Sequence, residues 1–212
     1  RMSFQQAINN YGVSRLVKGL VSHIEISLIV LAVCLIVGVP LGIIAARNKM
    51  TTQIVLGIAN VMKVIPSLAV MLILIPITGA SIVPAVFALT LLGLPPIMVN
   101  TCLGVRNVDP HITEAAAGIG MDPRMVLFKI QIPLLIPMMM TGIRTSAVSI
   151  VACTTIAYYV GAGGLGTLIS YGLVMHINPL LITGALLVAL MTAFVDHLFA
   201  FLQEKVNNKY SI

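Results

Sequence analysis

Three stretches of this chain, Ile26 to Ala46, Val64 to Val105 and Thr145 to Val195, contain no Asp, Glu, Lys or Arg. A helix crosses the hydrocarbon of a bilayer in about 20 apolar residues, so the first run holds one span and the other two hold more than one each. Cutting the runs at their turn residues predicts five spans, at about 24–46, 54–76, 82–105, 131–157 and 179–203. All five are expected to be helices. Backbone amides find no water in hydrocarbon, and the segments are too long and lack the strict alternation of barrel strands. The stretch before Ser22 reads as amphipathic and is placed at the membrane interface. The first apolar segment is too long and too late for a cleaved signal, and no small-residue cleavage site follows it, so it reads as a retained helix. The expected fold is an all-α, polytopic membrane helical bundle, a single transmembrane domain over residues 1–212.

Composition agrees: 59% of residues are hydrophobic and only 8% charged, against about 25% charged in soluble proteins. The mean hydropathy is +1.09. Charge then orients the spans. Arg47 and Lys49 follow span one, Arg106, Arg124 and Lys129 lie between spans three and four, and Lys205 and Lys209 follow span five. The links 78–81 and 158–178 carry no cation. Basic loops face the cytoplasm, which puts the amino terminus outside, against the pull of Arg1, Arg15 and Lys18, and the carboxyl terminus inside. The net charge of +6 is therefore a topology signal. Nucleic-acid binding is not expected, because the cations are divided among loops and no soluble surface is left to form a basic groove.

Little in the chain points to catalysis or metal binding. Cys34, Cys102 and Cys153 all fall in apolar spans, as small packing residues without metal-ligand spacing. His23 and His176 are scattered at the outer ends of spans. No nucleophile, base and orienting acid are grouped along the sequence, and the chain does not read as an enzyme.

The link between spans three and four, about 106–130, is different in kind. Asp109-Pro110 and Asp122-Pro123 are helix starts, since Asp caps free amides and Pro is preorganised for the first helical position. Two short helices with a hinge at 118–120 are predicted. Glu114, Ala115 and Ala116 lie on the first, where small side chains admit another protein's surface and a carboxylate can pair with its cation. Physics alone leaves two readings open, a docking knob and an ordinary loop covering helix ends.

The spacing Glu114-Ala115-Ala116, three residues, Gly120, nine residues, Ile130-x-Ile132-Pro133 resembles the signature of the permease subunits of binding-protein-dependent ABC importers. That signature ends Ile-x-Leu-Pro; here Ile132 replaces its Leu. The likeness extends to Gly38-Val39-Pro40-Leu41-Gly42-Ile43, to Ile65-Pro66-Ser67-Leu68-Ala69, to the 161–166 segment and to Asp196 in the last span, which is nearly the whole chain. It implies a coupling helix seated in a groove of a cytoplasmic ATPase, with Glu114, Ala115, Ala116, Gly120, Ile130 and Pro133 as coupling residues. It also implies a second permease subunit, identical or paralogous, an extracytoplasmic substrate-binding protein, and a prokaryotic plasma membrane as the setting. The chain itself is expected to carry no cofactor, ATP and magnesium belonging to the partner ATPase. Within the family the chain looks most like permeases for glycine betaine, carnitine and choline; methionine-importer permeases are the alternative.

Gly161-x-Gly163-x-x-Gly166 formally fits a dinucleotide fingerprint, yet it follows a transmembrane helix and has no acidic residue about 20 positions on. With Gly164 it reads instead as a close-packed, re-entrant or bent external segment within about 158–178, either packed or gating. Tyr158 and Tyr159, at the outer end of span four, read as interfacial anchors or as an aromatic gate for a cationic headgroup. Lys63, Arg144 and Asp196 fall within spans, where each charge costs about 2.5–3.5 kcal/mol on insertion scales. At about 1.5 Å per residue they lie at roughly 14, 17 and 11 Å depth, so Asp196 is expected to pair with Arg144 or Lys63. A secondary transporter is disfavoured because no internal repeat is visible, and a channel because no filter motif is.

Overall fold

A computed structural model describes residues 4–210. Ten α-helices follow one another among these residues, with no strand: α1 Phe4–Tyr11, α2 Val13–Ala45, α3 Lys49–Val64, α4 Ser67–Thr78, α5 Ile82–Arg106, α6 Pro110–Gly118, α7 Pro123–Val126, α8 Ile132–Cys153, α9 Gly166–Val174 and α10 Asn178–Tyr210. A π-helical turn, Leu127–Gln131, joins α7 to α8, and a 3-10 stretch, Thr154–Val160, continues α8.

Four helical stretches are long and apolar enough to cross a bilayer: Val13–Ala45, Ile82–Arg106, Pro123–Val160 and Asn178–Asn208. A fifth crossing exists if α3 and α4 are counted as one bent span. Four of the expected spans have a continuous helical counterpart, and the second falls on the bent pair α3 and α4. Its two halves meet at 84°. Proline cannot donate a helical hydrogen bond and disfavours helix in the residue before it, so Ile65-Pro66 ends α3 and starts α4 afresh. The first span also begins earlier than expected, at Val13, because α2 absorbs part of the amphipathic stretch.

The chain divides into two compact units. One comprises the residues up to Val33, Ile65–Gly93 and Ala147–Asp196. Within it α1 covers its apolar face with protein: Ala7 and Tyr11 pack with Leu168 of α9 and Leu180 of α10. The Tyr11 hydroxyl lies 3.3 Å from Thr167 Oγ1, and its ring meets Tyr171 edge-on with centroids 5.3 Å apart.

The other unit comprises Cys34–Val64, Leu94–Ser146 and the chain from His197 onward. Its helices approach closely at glycines. A Cβ on Gly42 would sit 2.6 Å from Thr101, and one on Gly142 would sit 2.6 Å from the Pro96 carbonyl. Association in hydrocarbon relies on packing of this kind, since apolar burial gains nothing from lipid. Arg106 Nη1 donates to Thr52 Oγ1 at 2.9 Å, and that hydroxyl donates to the Ala45 carbonyl at 2.9 Å, tying the end of α5 to the α2–α3 turn.

Candidate functional site

The loop that follows α5 is built by two capping aspartates. Asp109 Oδ1 accepts from the His111 amide at 2.9 Å, and Asp122 Oδ1 from the Met125 amide at 2.8 Å, each with proline next in sequence. These bonds satisfy amides that a helix start leaves without partners. Between the two helices Gly120 takes φ +86, a left-handed conformation that ends α6 and is costly for any residue with a Cβ. Both predicted helix starts and the glycine hinge are therefore present.

On α6 the signature residues separate by role. Ala116 is buried, whereas Glu114 and Ala115 are exposed, and the neighbouring Ile119 is 82% exposed. Glu114 lies 4.0 Å from His111 with both side chains largely in solvent, a contact that contributes little to stability. The outward face thus combines a carboxylate, a methyl group and a large uncovered aliphatic side chain. Ile130 and Pro133, both half-buried, flank the junction with α8. There the Ile132 amide donates to the Leu127 carbonyl five residues back. A proline ring clashes with the carbonyl four residues before it, and the wider π turn relieves that clash ahead of Pro133.

The glycine-rich segment lies in the first unit and is knit from within. Gly161, Gly163 and Gly164 take φ +76, +89 and +85. Gly166 has no room for a side chain, because a Cβ would run into the Thr155 carbonyl. One histidine secures the segment. His23 is fully buried; its Nε2 donates to the Val151 carbonyl at 2.9 Å, and its Nδ1 accepts from the Leu165 amide at 3.2 Å. An amide can only donate, so Nδ1 is unprotonated and the proton sits on Nε2. Ser27 and Thr154 add a buried hydroxyl pair at 3.1 Å. His23 was read from sequence as a scattered residue at a span end. Its partners lie 128 and 142 residues away, and the only local signal is a polar residue on the same helical face as Ser27.

Tyr158 and Tyr159 sit in the 3-10 stretch with ring centroids 5.5 Å apart, edge to face. With Ser170, Leu173 and Val174 they line a cavity of about 380 Å³. Lys63 is exposed in the last turn of α3, three residues before the Pro66 break. Arg144 lies in α8 and Asp196 in α10, where Asp196 lines a cavity of about 650 Å³ with Ala152, Thr155, Ala189 and Thr192. Among the described residues no three His, Cys, Asp or Glu side chains are grouped to hold a metal ion.

Residues 38–211 match the family model described as the binding-protein-dependent transport system inner membrane component. The choline transport system permease protein OpuBB of Bacillus subtilis is 36% identical over 184 residues, covering 87% of this chain and 85% of that protein. The glycine betaine/carnitine/choline transport system permease protein OpuCB of the same organism is 37% identical over 187 residues, covering 88% of this chain and 86% of its own. Among solved structures, a chain of the MetNI methionine ABC transporter in an inward-facing conformation superposes with a TM-score of 0.78, over 92% of this chain and 97% of that one, at 19% identity. That likeness concerns the fold. Signature spacing, helical architecture and sequence relatives agree, and the chain belongs to the binding-protein-dependent transport system inner membrane components, as a permease subunit of an ABC importer.

Proposed function

We propose that this permease forms, with a second permease subunit, the membrane pathway for quaternary-amine osmoprotectants such as glycine betaine, carnitine and choline. The single observation that carries the coupling part is the outward face of α6. Glu114 and Ala115 on α6 and Ile119 at its C-cap stand uncovered, on a helix whose start is capped by Asp109 through the His111 amide, which is the form of a surface awaiting a partner. The partner is a cytoplasmic ATPase. ATP-driven closure of two such ATPases pushes on α6 and, through the Pro133 junction, tilts α8 against its neighbours, so that the pathway opens alternately outward and inward. This chain hydrolyses nothing; ATP and magnesium act in the partner.

The substrate class rests on the relatives, which are named for choline, carnitine and glycine betaine. The methionine alternative is supported by likeness of fold alone. An extracytoplasmic binding protein supplies most of the selectivity, because a chain without tryptophan cannot build a full aromatic cage. Tyr158 and Tyr159 serve as an outer gate, with Gly161, Gly163, Gly164 and Gly166 shaping the bend behind them. Asp196 pairs with Arg144 or Lys63 and fixes helix register inside the bilayer. The carboxyl terminus faces the cytoplasm, as the basic loops require.

The test is ATPase stimulation in the reconstituted complex by binding proteins loaded with glycine betaine, choline, carnitine or methionine. Stimulation by the quaternary amines alone is expected. Stimulation by methionine alone overturns the substrate assignment, and hydrolysis indifferent to every loaded binding protein overturns the coupling assignment.

A further inference from the structure

At the ends of α2 and α5 that lead into the short turn 46–48 and the loop after Arg106, the second unit holds a cavity of about 430 Å³. Ile43, Val105 and Leu127 supply its apolar wall, and Arg47, Arg124 and Gln131 its polar groups. No Asp or Glu lines it. Neither Arg106 nor Asp122 lines it. Arg106, next to Val105, is turned onto Thr52 Oγ1 at 2.9 Å, and the carboxylate of Asp122, two residues from Arg124, is held by the Met125 amide at 2.8 Å. The side chains of Arg47 and Arg124 make no hydrogen bond or ion pair among the described residues; the Arg47 amide donates to the Ile44 carbonyl and the Arg124 carbonyl accepts from Leu127. Two arginines whose side chains have no protein partner therefore line one hollow at the surface.

We propose that this cavity seats the phosphate of an anionic phospholipid headgroup, with Arg47 and Arg124 as its ligands and Gln131 as a third donor. Guanidinium forks match phosphate oxygens in pairs, and such charge-assisted bonds are the strong ones. The apolar wall selects a lipid over a free anion. Ile43 and Val105 belong to the last turns of membrane-crossing helices, where hydrocarbon gives way to headgroups, so a glycerol backbone and the tops of acyl chains have a surface to lie on. A carboxylate of the partner ATPase is the competing occupant. It is disfavoured because the uncovered face of α6, with Glu114, Ala115 and Ile119, contributes nothing to this cavity.

The permease, purified with its partner subunits, is stripped of lipid, refilled with phosphatidylglycerol or phosphatidylcholine and weighed intact by native mass spectrometry. The wild type is expected to retain phosphatidylglycerol over phosphatidylcholine by roughly tenfold or more, as two cations at the surface warrant. R47Q/R124Q is expected to lose that preference while R47K/R124K keeps most of it. A preference for phosphatidylglycerol that is undiminished in R47Q/R124Q overturns the site. Displacement of phosphatidylglycerol by inorganic phosphate makes it a free-anion site, and loss of the ATPase subunits with lipid retained assigns the arginines to the partner; either result also overturns the proposal. Should R47Q/R124Q not fold, the wild type is irradiated with a phosphatidylglycerol analogue carrying a photoreactive headgroup. Adducts on residues 43–47 or 123–131 are expected, and adducts confined to other segments sink the idea.

Discussion

The loop after α5 and the glycine-rich segment after α8 are both interruptions between membrane helices, yet they are held in opposite ways. Polar side chains in the loop bond over two or three residues: Asp109 to His111, Thr113 to Pro110 and Asp122 to Met125. The glycine segment and its support bond over 127 to 156 residues, through Ser27–Thr154, His23–Val151, Leu165–His23 and Tyr11–Thr167. The first region is locally complete and leaves apolar surface uncovered. The second is closed on itself around its glycines and leaves apolar surface uncovered only at its flanks, as at Tyr159, Leu173 and Val174. A locally satisfied, outward-facing helix can move as a rigid lever, whereas the segment around His23 can change shape only by breaking several buried bonds together.

His23→Ala gives the largest expected effect on that contrast. It strands the Leu165 amide and the Val151 carbonyl in a buried site and opens a cavity, a loss of about 4 kcal/mol in unfolding of the purified protein. A loss under about 1 kcal/mol would show that the segment does not depend on the imidazole. Gly166→Ala follows at about 3 kcal/mol, since the new methyl meets the Thr155 carbonyl, part of a backbone with no freedom to move aside.

The loop after α5 is expected to answer in activity. Ala115→Arg places a long cation on the exposed face of α6 and lowers transport about a hundredfold while leaving the melting temperature unchanged, the cost of losing one interfacial anchor. Transport within threefold of wild type would remove the docking role. Asp122→Ala removes only a cap, worth about 1 kcal/mol in the same unfolding measurement. Smallest of all, Gly118→Ala meets open space and stabilises α6 by about 0.5 kcal/mol; a clear destabilisation there would mean that the loop is packed more tightly than its exposure indicates.

What the sequence could announce follows the same division. Asp109-Pro110, Asp122-Pro123 and Gly120 act on neighbours, so the two short helices and their hinge were legible before any fold was known. The spans were legible because about 20 uncharged residues have one stable form in hydrocarbon. The 84° break at Ile65-Pro66 was written in the chain as well, yet a hydropathy count averaged over a window passes over a single proline in a largely apolar run. His23 was not legible. Nothing within four residues of it points to Val151 or Leu165, and a histidine near a span end reads the same whether it faces solvent or staples three segments. The exposed face of α6 was half legible: the signature named Glu114, Ala115 and Ala116, and only the folded helix separates the buried Ala116 from the other two.

The π turn at Leu127–Gln131 sets the azimuth of everything beyond it. A helix advances by about 100° per residue, so a turn that spends one residue more than its neighbours re-aims every later side chain by that angle. Excising a single residue between Leu127 and Gln131 would leave α8 as long and as greasy as before. Its inward and lipid-facing stripes would nevertheless swing by about 100°, and a conveyor with intact parts would be threaded on the wrong spindle.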